Sequence, residues 1–482
     1  MTTSSDSALR VAVVGSGPAG VYACEALLDW SDSRDPSGRG IVVDLFDRLP
    51  VPYGLLRHGV APDHPRIKGI ARTLEGIAAD PRIRFLGNVE FGTDLTLEDM
   101  RGLYHAVVFS TGALADRLLN IPGEDLEGSH GAAEFVTWYD GHPDSDPEWV
   151  LTAERAAVLG VGNVALDVAR MLVRSAEQLE ATDIPDHVRS GFGTNASRVV
   201  SVIGRRGPAY AKFTPLELRE MGKVEGLTVV VDPADLEYDD EARELREHDR
   251  RVGQICDQLE KWAGAQREAG HGSADQAEAA ALDAGGRVVR FRFHRSPARI
   301  LGTDGRVSGL RLELTEPDGP RVRSTGRTED LQVEAVYRAV GYRSAPLEGL
   351  PFDPGSAVIP NDSGRILDSP DGDPLPGLYT AGWVKRGPTG VIGTNRSCAV
   401  ETIGRLTADL DSGALNEPTH PDPPAVLDLL AERGVAVVDG AAWTAIDTHE
   451  RELGAAAGRE RTKLPGRAEM LDIGLNPRPA SR

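Results

Sequence analysis

R-V-A-V-V-G-S-G-P-A-G-V-Y-A-C-E-A-L-L, running from Arg10 to Leu28, decides the fold. The apolar, β-branched run Val11 to Val14 reads as a buried parallel strand. It opens into Gly15-x-Gly17-x-x-Gly20 and then an apolar-periodic helix. In such a turn the first glycine permits the bend and the second lets the backbone approach a pyrophosphate. The third lets helix pack on strand, and the helix N-terminus faces the anion. The next apolar run, Ile41 to Phe46, ends in Asp47, the residue type that binds a ribose hydroxyl. Asp47 lies somewhat beyond the usual ~20 residues from the turn, and the Ser- and Gly-containing segment Ser31 to Gly40 accounts for the excess as a longer loop.

A second turn of the same kind follows. Arg155 to Leu159 reads as a strand, Gly160-Val161-Gly162-Asn163-Val164-Ala165 gives GxGxxA, and a helix is expected over Val164 to Leu179. The next strand, Arg198 to Ile203, ends in Gly204-Arg205-Arg206-Gly207 rather than in an acid. Arginines at this place suit a 2′-phosphate, so the second nucleotide is expected to be NADP and not NAD. Two different dinucleotides in one chain point to FAD at the first turn and NADP(H) at the second. The chemistry they imply is hydride transfer between nicotinamide and flavin.

Between and beyond these turns the pattern is α/β. Leu49 to Lys68 holds Pro50, Pro52, Pro62 and Pro65 with Gly54 and Gly59, and reads as a shaped loop. A helix is expected over Pro65 to Ala79, and strands over Ile83 to Leu86 and Ala106 to Phe109. Thr214-Pro215-Leu216-Glu217 is a capping box with proline at N1, and Glu217 either caps the helix or also faces the cofactor. Asp239 to Ala265 reads as one charged helix, followed to Gly286 by Gly- and Ala-rich sequence expected to form a surface insertion with a mobile connection. Further strands are expected over Val288 to His294, Val307 to Leu314, Ala335 to Val340 and near Gly377 to Trp383. The last precedes Lys385 to Asn395 and an apolar helix, Ser397 to Leu410. The tail from Asn416 reads as a partly helical appendage.

Composition narrows the classes. The net charge of −21 argues against nucleic-acid binding, since phosphate contacts need excess Lys and Arg. No apolar run reaches the ~18 residues of a membrane span, and polar Met1 to Ser7 lacks the apolar core of a secretory signal. The three cysteines, Cys24, Cys256 and Cys398, lie far apart, which fits a reducing cytoplasm and packed thiols.

Five stretches carry a resemblance: A-P-D-H-P (Ala61 to Pro65), G-N-V-A-L-D-V-A-R (Gly162 to Arg170), G-R-R-G-P (Gly204 to Pro208), F-T-P-L-E-L-R-E (Phe213 to Glu220) and G-W-V-K-R-G-P-T-G-V-I-G-T-N (Gly382 to Asn395). Together the chain resembles the adrenodoxin reductase family of NADPH–ferredoxin reductases from Val11 to about Leu410. The resemblance implies an architecture like that of glutathione reductase: two Rossmann-like dinucleotide-binding domains, the NADP domain (117–344) inserted into a discontinuous FAD domain (1–116 and 345–482). A helical insertion is expected at about 235–286 and a C-terminal appendage from about 413. It implies FAD contacts from Ala19, Asp47, Leu55, Val89, Trp383 and the run Gly390-Val391-Ile392, beside Gly15, Gly17 and Gly20 of the turn. NADP contacts are implied for Arg117, Val161, Gly162, Asn163, Val164, Arg205, Arg206, Glu217 and Gly390. His64 and Glu220 resemble a catalytic His–carboxylate pair near the nicotinamide, the imidazole donating and the carboxylate orienting it.

The expected reaction moves two electrons from NADPH through FAD to a small iron–sulfur carrier such as a ferredoxin, in a cytoplasmic and monomeric protein. Lys212, Lys223, Lys385 and Arg386 are candidate docking charges. Two departures from the family pattern stand out: Asp47 replaces the longer Glu, and Asp239 to Gly286 is a long insertion. The missing C-x-x-C argues against thioredoxin- or glutathione-reductase chemistry. The missing N-terminal cysteine cluster argues against a glutamate-synthase small subunit. A flavin monooxygenase, another acceptor, and a non-catalytic NADP(H)-responsive flavoprotein remain alternatives.

Overall fold

The computed structural model describes residues 8–34, 40–319 and 321–476. Its chain divides into two compact units, Met1–Ala115 with Asp140–Asp144 and Tyr342–Arg482, and Asp116–Tyr139 with Ser145–Gly341. The expected inserted domain, 117–344, takes in Asp140–Asp144; these five residues instead belong to the first unit, where Asp140 and His142 are buried.

The first unit is built on a seven-stranded sheet. Its order is Asn361–Asp362, Arg365–Leu367, Pro374–Thr380, Ala106–Phe109, Leu9–Val14, Ile41–Asp47 and Ile83–Gly87. The last five strands run parallel. Leu9–Val14 lies between strands that follow it in sequence on both sides, so the chain reverses its winding there. That reversal opens a crevice at the strand's C-terminal end, where the glycine turn sits. Val11 and Val13 are fully buried, which is why this stretch is an unbroken apolar run and not an alternating one.

The second unit carries a six-stranded parallel sheet, in the order Ser129–Gly131, Ala335–Arg338, Arg155–Leu159, Val199–Ile203, Arg287–Arg292 and Leu227–Val231. Arg155–Leu159 holds the switch point here. An antiparallel sheet, Arg295–Thr303, Arg306–Asp318 and Arg321–Leu331, completes the unit. Two of its strands were not foreseen.

Several expected elements differ. The helix Pro18–Arg34 takes in Ser31–Arg34, expected as loop; residues 35–39 of that loop, like Met1 to Ser7, lie outside the described residues. Pro65 to Ala79 is two helices, Pro65–Lys68 and Ala71–Ala78. At their junction the chain tightens to an i→i−3 bond, Ile70 N–H to the Ile67 carbonyl at 3.1 Å. The helix expected to reach Leu179 spans Asn163–Leu172. The Asn195 side-chain amide donates to the carbonyls of Leu172 and Arg174, at 2.8 and 2.9 Å, and closes that end. The charged helix is split by Asp249 into Asp240–His248 and Arg250–Glu268, because the Asp249 carboxylate caps the second piece through Arg251 and Val252 N–H.

The segment expected as a mobile surface insertion is a packed layer. Ile255, Cys256 and Leu259 are buried, and the helix Ala274–Asp283 sets Ala274 and Ala277 against Val199, Val230 and Val288 of the sheet. The tail is likewise no appendage: Val438, Ile446, Leu464 and Met470 belong to the same core as Val11 and Val13.

Candidate functional site: two dinucleotide cradles

In the first unit the turn is built as its glycines require. Gly15 has φ +105°, and a Cβ there would lie 2.6 Å from the Ser110 carbonyl oxygen. A Cβ on Gly20 would lie 1.9 Å from the Gly15 oxygen. Gly17 has nothing within 4 Å of its would-be Cβ, leaving open space in front of the helix N-terminus. Gly54 approaches Gly17 from the shaped loop, and Gly382 (φ +75°) closes on Ala19, so Leu55 and Trp383, the next residues, are brought to the turn.

Asp47 ends the neighbouring strand. Its Oδ2 accepts from Ser16 N–H at 3.0 Å and from the Ser16 hydroxyl at 2.5 Å, while Oδ1 accepts from Leu49 N–H at 2.9 Å. Burial pushes this carboxyl up, and the Ser16 and Leu49 donors pull it back. The shorter acid is thus fixed by Ser16, the middle residue of G-S-G, a partner that sequence reasoning missed. Val89 is buried and its N–H donates to the Asp47 carbonyl at 2.9 Å. The Trp383 indole Nε1 is buried without a partner among the described residues. Gly390 (φ +85°), exposed Val391 and Ile392 lead into the helix Ile392–Asp411, which is tied to the first helix by Arg396 and Glu25 at 2.9 Å.

These features fit FAD. An open glycine turn, an acid at the end of the next strand, a second long-helix N-terminus and an unpartnered indole donor are what a flavin dinucleotide engages. His64 is buried as the residue preceding the helix Pro65–Lys68, with its Nε2 4.0 Å from Asp63 Oδ1.

The second unit repeats the logic. Gly160 (φ +135°) would place a Cβ 2.2 Å from the Ala339 oxygen, and Gly162 faces open space. The Val161 carbonyl accepts from Lys212 and Phe213 N–H at 2.7 and 3.1 Å, and Asn163 Oδ1 accepts from Thr214 N–H at 2.8 Å. These bonds lock the 212–214 segment onto the turn next to Val164. The Thr214 hydroxyl accepts from Glu217 N–H and caps the helix Pro215–Met221, but Thr214 N–H, which the expected capping box would give to the Glu217 carboxylate, goes to Asn163. Glu217 is buried 3.6 Å from the Arg170 guanidinium, and Glu220 on the same helix is half-buried.

Arg205 is exposed and has no ion pair among the described residues. Arg206 is held: its Cζ lies 3.2 Å from the Tyr210 ring centroid and its Nη2 3.9 Å from Glu241. Tyr210 and Glu241 were missed by sequence reasoning; only the aromatic four residues after an arginine could have suggested the stack. An exposed, uncommitted guanidinium beside a pre-set one fits a 2′-phosphate. Arg117 is exposed at the start of this unit.

Of the docking candidates, Lys212 and Lys223 are exposed. Lys385 is not a free surface charge: it is buried, donating to Glu401 at 2.7 Å and to the Thr402 hydroxyl at 3.0 Å. Arg386 is committed to Asn395. The three cysteines are all buried, and burial pushes the Cys24 thiol up to about 12. No helix among the described residues is long and apolar enough to cross a membrane.

Residues 9–203 match the family model for pyridine nucleotide-disulphide oxidoreductases. The chain is 41% identical to the NADPH-ferredoxin reductase FprA of Mycobacterium tuberculosis over 96% of its own length and 99% of the relative's. It is 38% identical to the mitochondrial NADPH:adrenodoxin oxidoreductase of Arabidopsis thaliana, over 98% of this chain and 97% of that one. Among solved structures it matches Mycobacterium tuberculosis FprA in complex with NADPH with a TM-score of 0.84, at 41% identity, over 97% of this chain and all of that one.

Proposed function

The chain belongs to the NADPH-dependent ferredoxin and adrenodoxin reductases, and from that premise we infer an oxidoreductase that passes electrons from NADPH through FAD to a ferredoxin-type iron–sulfur protein. The observation that carries the cofactor assignment is the pair of unlike turns, one followed by a strand that ends in Asp47 and the other by a strand that leads into Arg205-Arg206. Bound at the first, FAD supplies the conversion of one hydride into two single electrons.

The protein's own residues bind, orient and shield. Gly15, Gly17 and Gly20 admit the pyrophosphate to the first helix, and Asp47 receives the adenosine ribose. Leu55, Val89, Trp383 and Gly390-Val391-Ile392 are proposed to line the flavin dinucleotide. Arg117, Val161 to Val164, Arg205, Arg206, Glu217 and Gly390 are proposed to hold NADP(H). His64 and Glu220 are proposed to order the nicotinamide. Neither has a proton to move in hydride transfer, so their part is orientation.

The expected acceptor is a small iron–sulfur carrier, the class named for the relatives. A monomeric, cytoplasmic protein is proposed, supported by the acidic net charge of −21 and by thiols kept apart and buried. Release of the flavin by heat and its chromatographic identification test the first assignment: one FAD per chain supports it, and FMN or no flavin overturns it.

A further inference from the structure

The first unit contains a buried charge network that the reaction does not use. Glu450, fully buried on the helix Gly440–Ala456, pairs with Arg57 at 2.5 Å and accepts from Leu464 N–H at 3.0 Å and from Arg461 at 2.8 Å. Lys463, 2% exposed, directs its ammonium to the Arg57 carbonyl at 2.7 Å, to the Asp140 carbonyl at 2.8 Å and to the Asp140 carboxylate at 2.7 Å. Asp140 also receives Lys68 at 2.8 Å. Trp443, on the same helix as Glu450, meets Tyr53 edge-on and lies under the Arg57 guanidinium. Tyr53, Arg57 and Lys68 all belong to the loop that carries Leu55 and His64.

Such an arrangement is costly to build. Each buried ion requires paired, hydrogen-bonded partners, and removing one strands the other. The Lys463 ammonium has three donors, and three acceptors from two distant chain segments receive it. The gain is geometric: the Arg57 backbone and side chain are held at once, by residues 406 and 393 positions away.

We propose that Glu450 and Lys463 are positioning residues of the C-terminal arm, which fix the Tyr53–His64 loop and thereby set the affinity and environment of FAD. The inference rests on the reading that this loop touches the flavin. Solvent exposure at Arg57 would be the cheaper design for a purely structural strap, since a surface ion pair tethers without a desolvation cost.

The test compares Glu450→Gln, Lys463→Met and the double variant Arg57→Met/Glu450→Gln with wild type, using Glu452→Gln on the exposed face as control. Apo-protein is titrated with FAD by quenching of flavin fluorescence, and the visible circular dichroism of the bound flavin is recorded. Expected are a rise of at least tenfold in the FAD Kd and an altered flavin dichroism in both single variants. NADP+ affinity changes less than twofold, and Glu452→Gln behaves as wild type. The double variant lacks the tether from both sides and keeps an FAD Kd within threefold of that of Glu450→Gln; recovery toward the wild-type Kd would show that a stranded charge and not lost positioning raises it, and would overturn the proposal. Single variants that melt earlier yet keep the wild-type FAD Kd and dichroism overturn the proposal. If Lys463→Met does not fold, the Arg57/Glu450 pair decides by the same criteria. Wild-type protein that binds no FAD would instead overturn the functional reading itself.

Discussion

Replacing Arg205 and Arg206 together by alanine gives the sharpest consequence of the second cradle. A hydrogen bond to a charged group is worth ~1.5–3 kcal/mol. Arg205 is exposed, so its contact belongs near the lower end, about 1.5 kcal/mol. Arg206 is 23% exposed and pre-set on Tyr210, so less order is lost on binding and about 2–3 kcal/mol is expected. The double variant should therefore lose about 3.5–4.5 kcal/mol, roughly 400- to 2000-fold in kcat/KM for NADPH. NADH has no 2′-phosphate, and its kcat/KM should change by less than about threefold. Glu241, 3.9 Å from Arg206, competes with the phosphate for that guanidinium. Glu241→Gln should then improve NADPH by up to about fivefold, the worth of an exposed pair of at most ~1 kcal/mol. The assay is anaerobic stopped-flow bleaching of the flavin with each nucleotide. Equal losses for NADPH and NADH would refute the 2′-phosphate assignment.

Three further outcomes are expected. His64→Ala should retain FAD and slow flavin reduction roughly 2- to 13-fold, the worth of one hydrogen bond of ~0.5–1.5 kcal/mol; complete loss of reduction with FAD bound would contradict an orienting role. Native protein should not react with a thiol reagent until denatured, because Cys24, Cys256 and Cys398 are all buried; one fast-reacting thiol in the native state contradicts this. Burial and the nearby Arg48 and Arg467 charges lower the His142 imidazole from 6.5 to about 4, so the unfolded chain takes up a proton first as pH falls. Stability from this group is full above pH 6.5 and declines toward pH 4, by up to about 3 kcal/mol. His58, also held low by burial, adds the same sign. Urea midpoints for wild type and His142→Asn should diverge in pH slope across that window; parallel slopes contradict the account.

What was legible in the sequence is what lies close along the chain. A strand, a glycine turn and a helix are contiguous, so Val11 to Gly20 and Arg155 to Ala165 disclose both cradles. The expected nucleotide preference could be read because Asp47 ends its strand and Arg205-Arg206 follow within three residues of the end of theirs. Helix ends fixed by distant partners were not legible: Leu172 terminates through Asn195, which comes from another part of the fold. Asp249 could have been read, since an acid before two helix-forming residues is a cap signal, but the charged run hid it. Glu241 and Tyr210 sit in the part read as a surface insertion and its approach, so their hold on Arg206 was invisible. The tail carried no motif, yet its buried residues complete the first unit's core and its Glu450 and Lys463 grip the loop around Arg57. Long-range ion pairs of this kind have no local pattern.

The identity of the electron acceptor is decided by one anaerobic measurement. Purified holoprotein is mixed with NADPH and cytochrome c, with and without a ferredoxin, and cytochrome reduction is followed. Reduction is expected to require the ferredoxin and to proceed far faster with NADPH than with NADH. Flavin that bleaches with NADPH while no ferredoxin speeds cytochrome reduction would contradict this expectation.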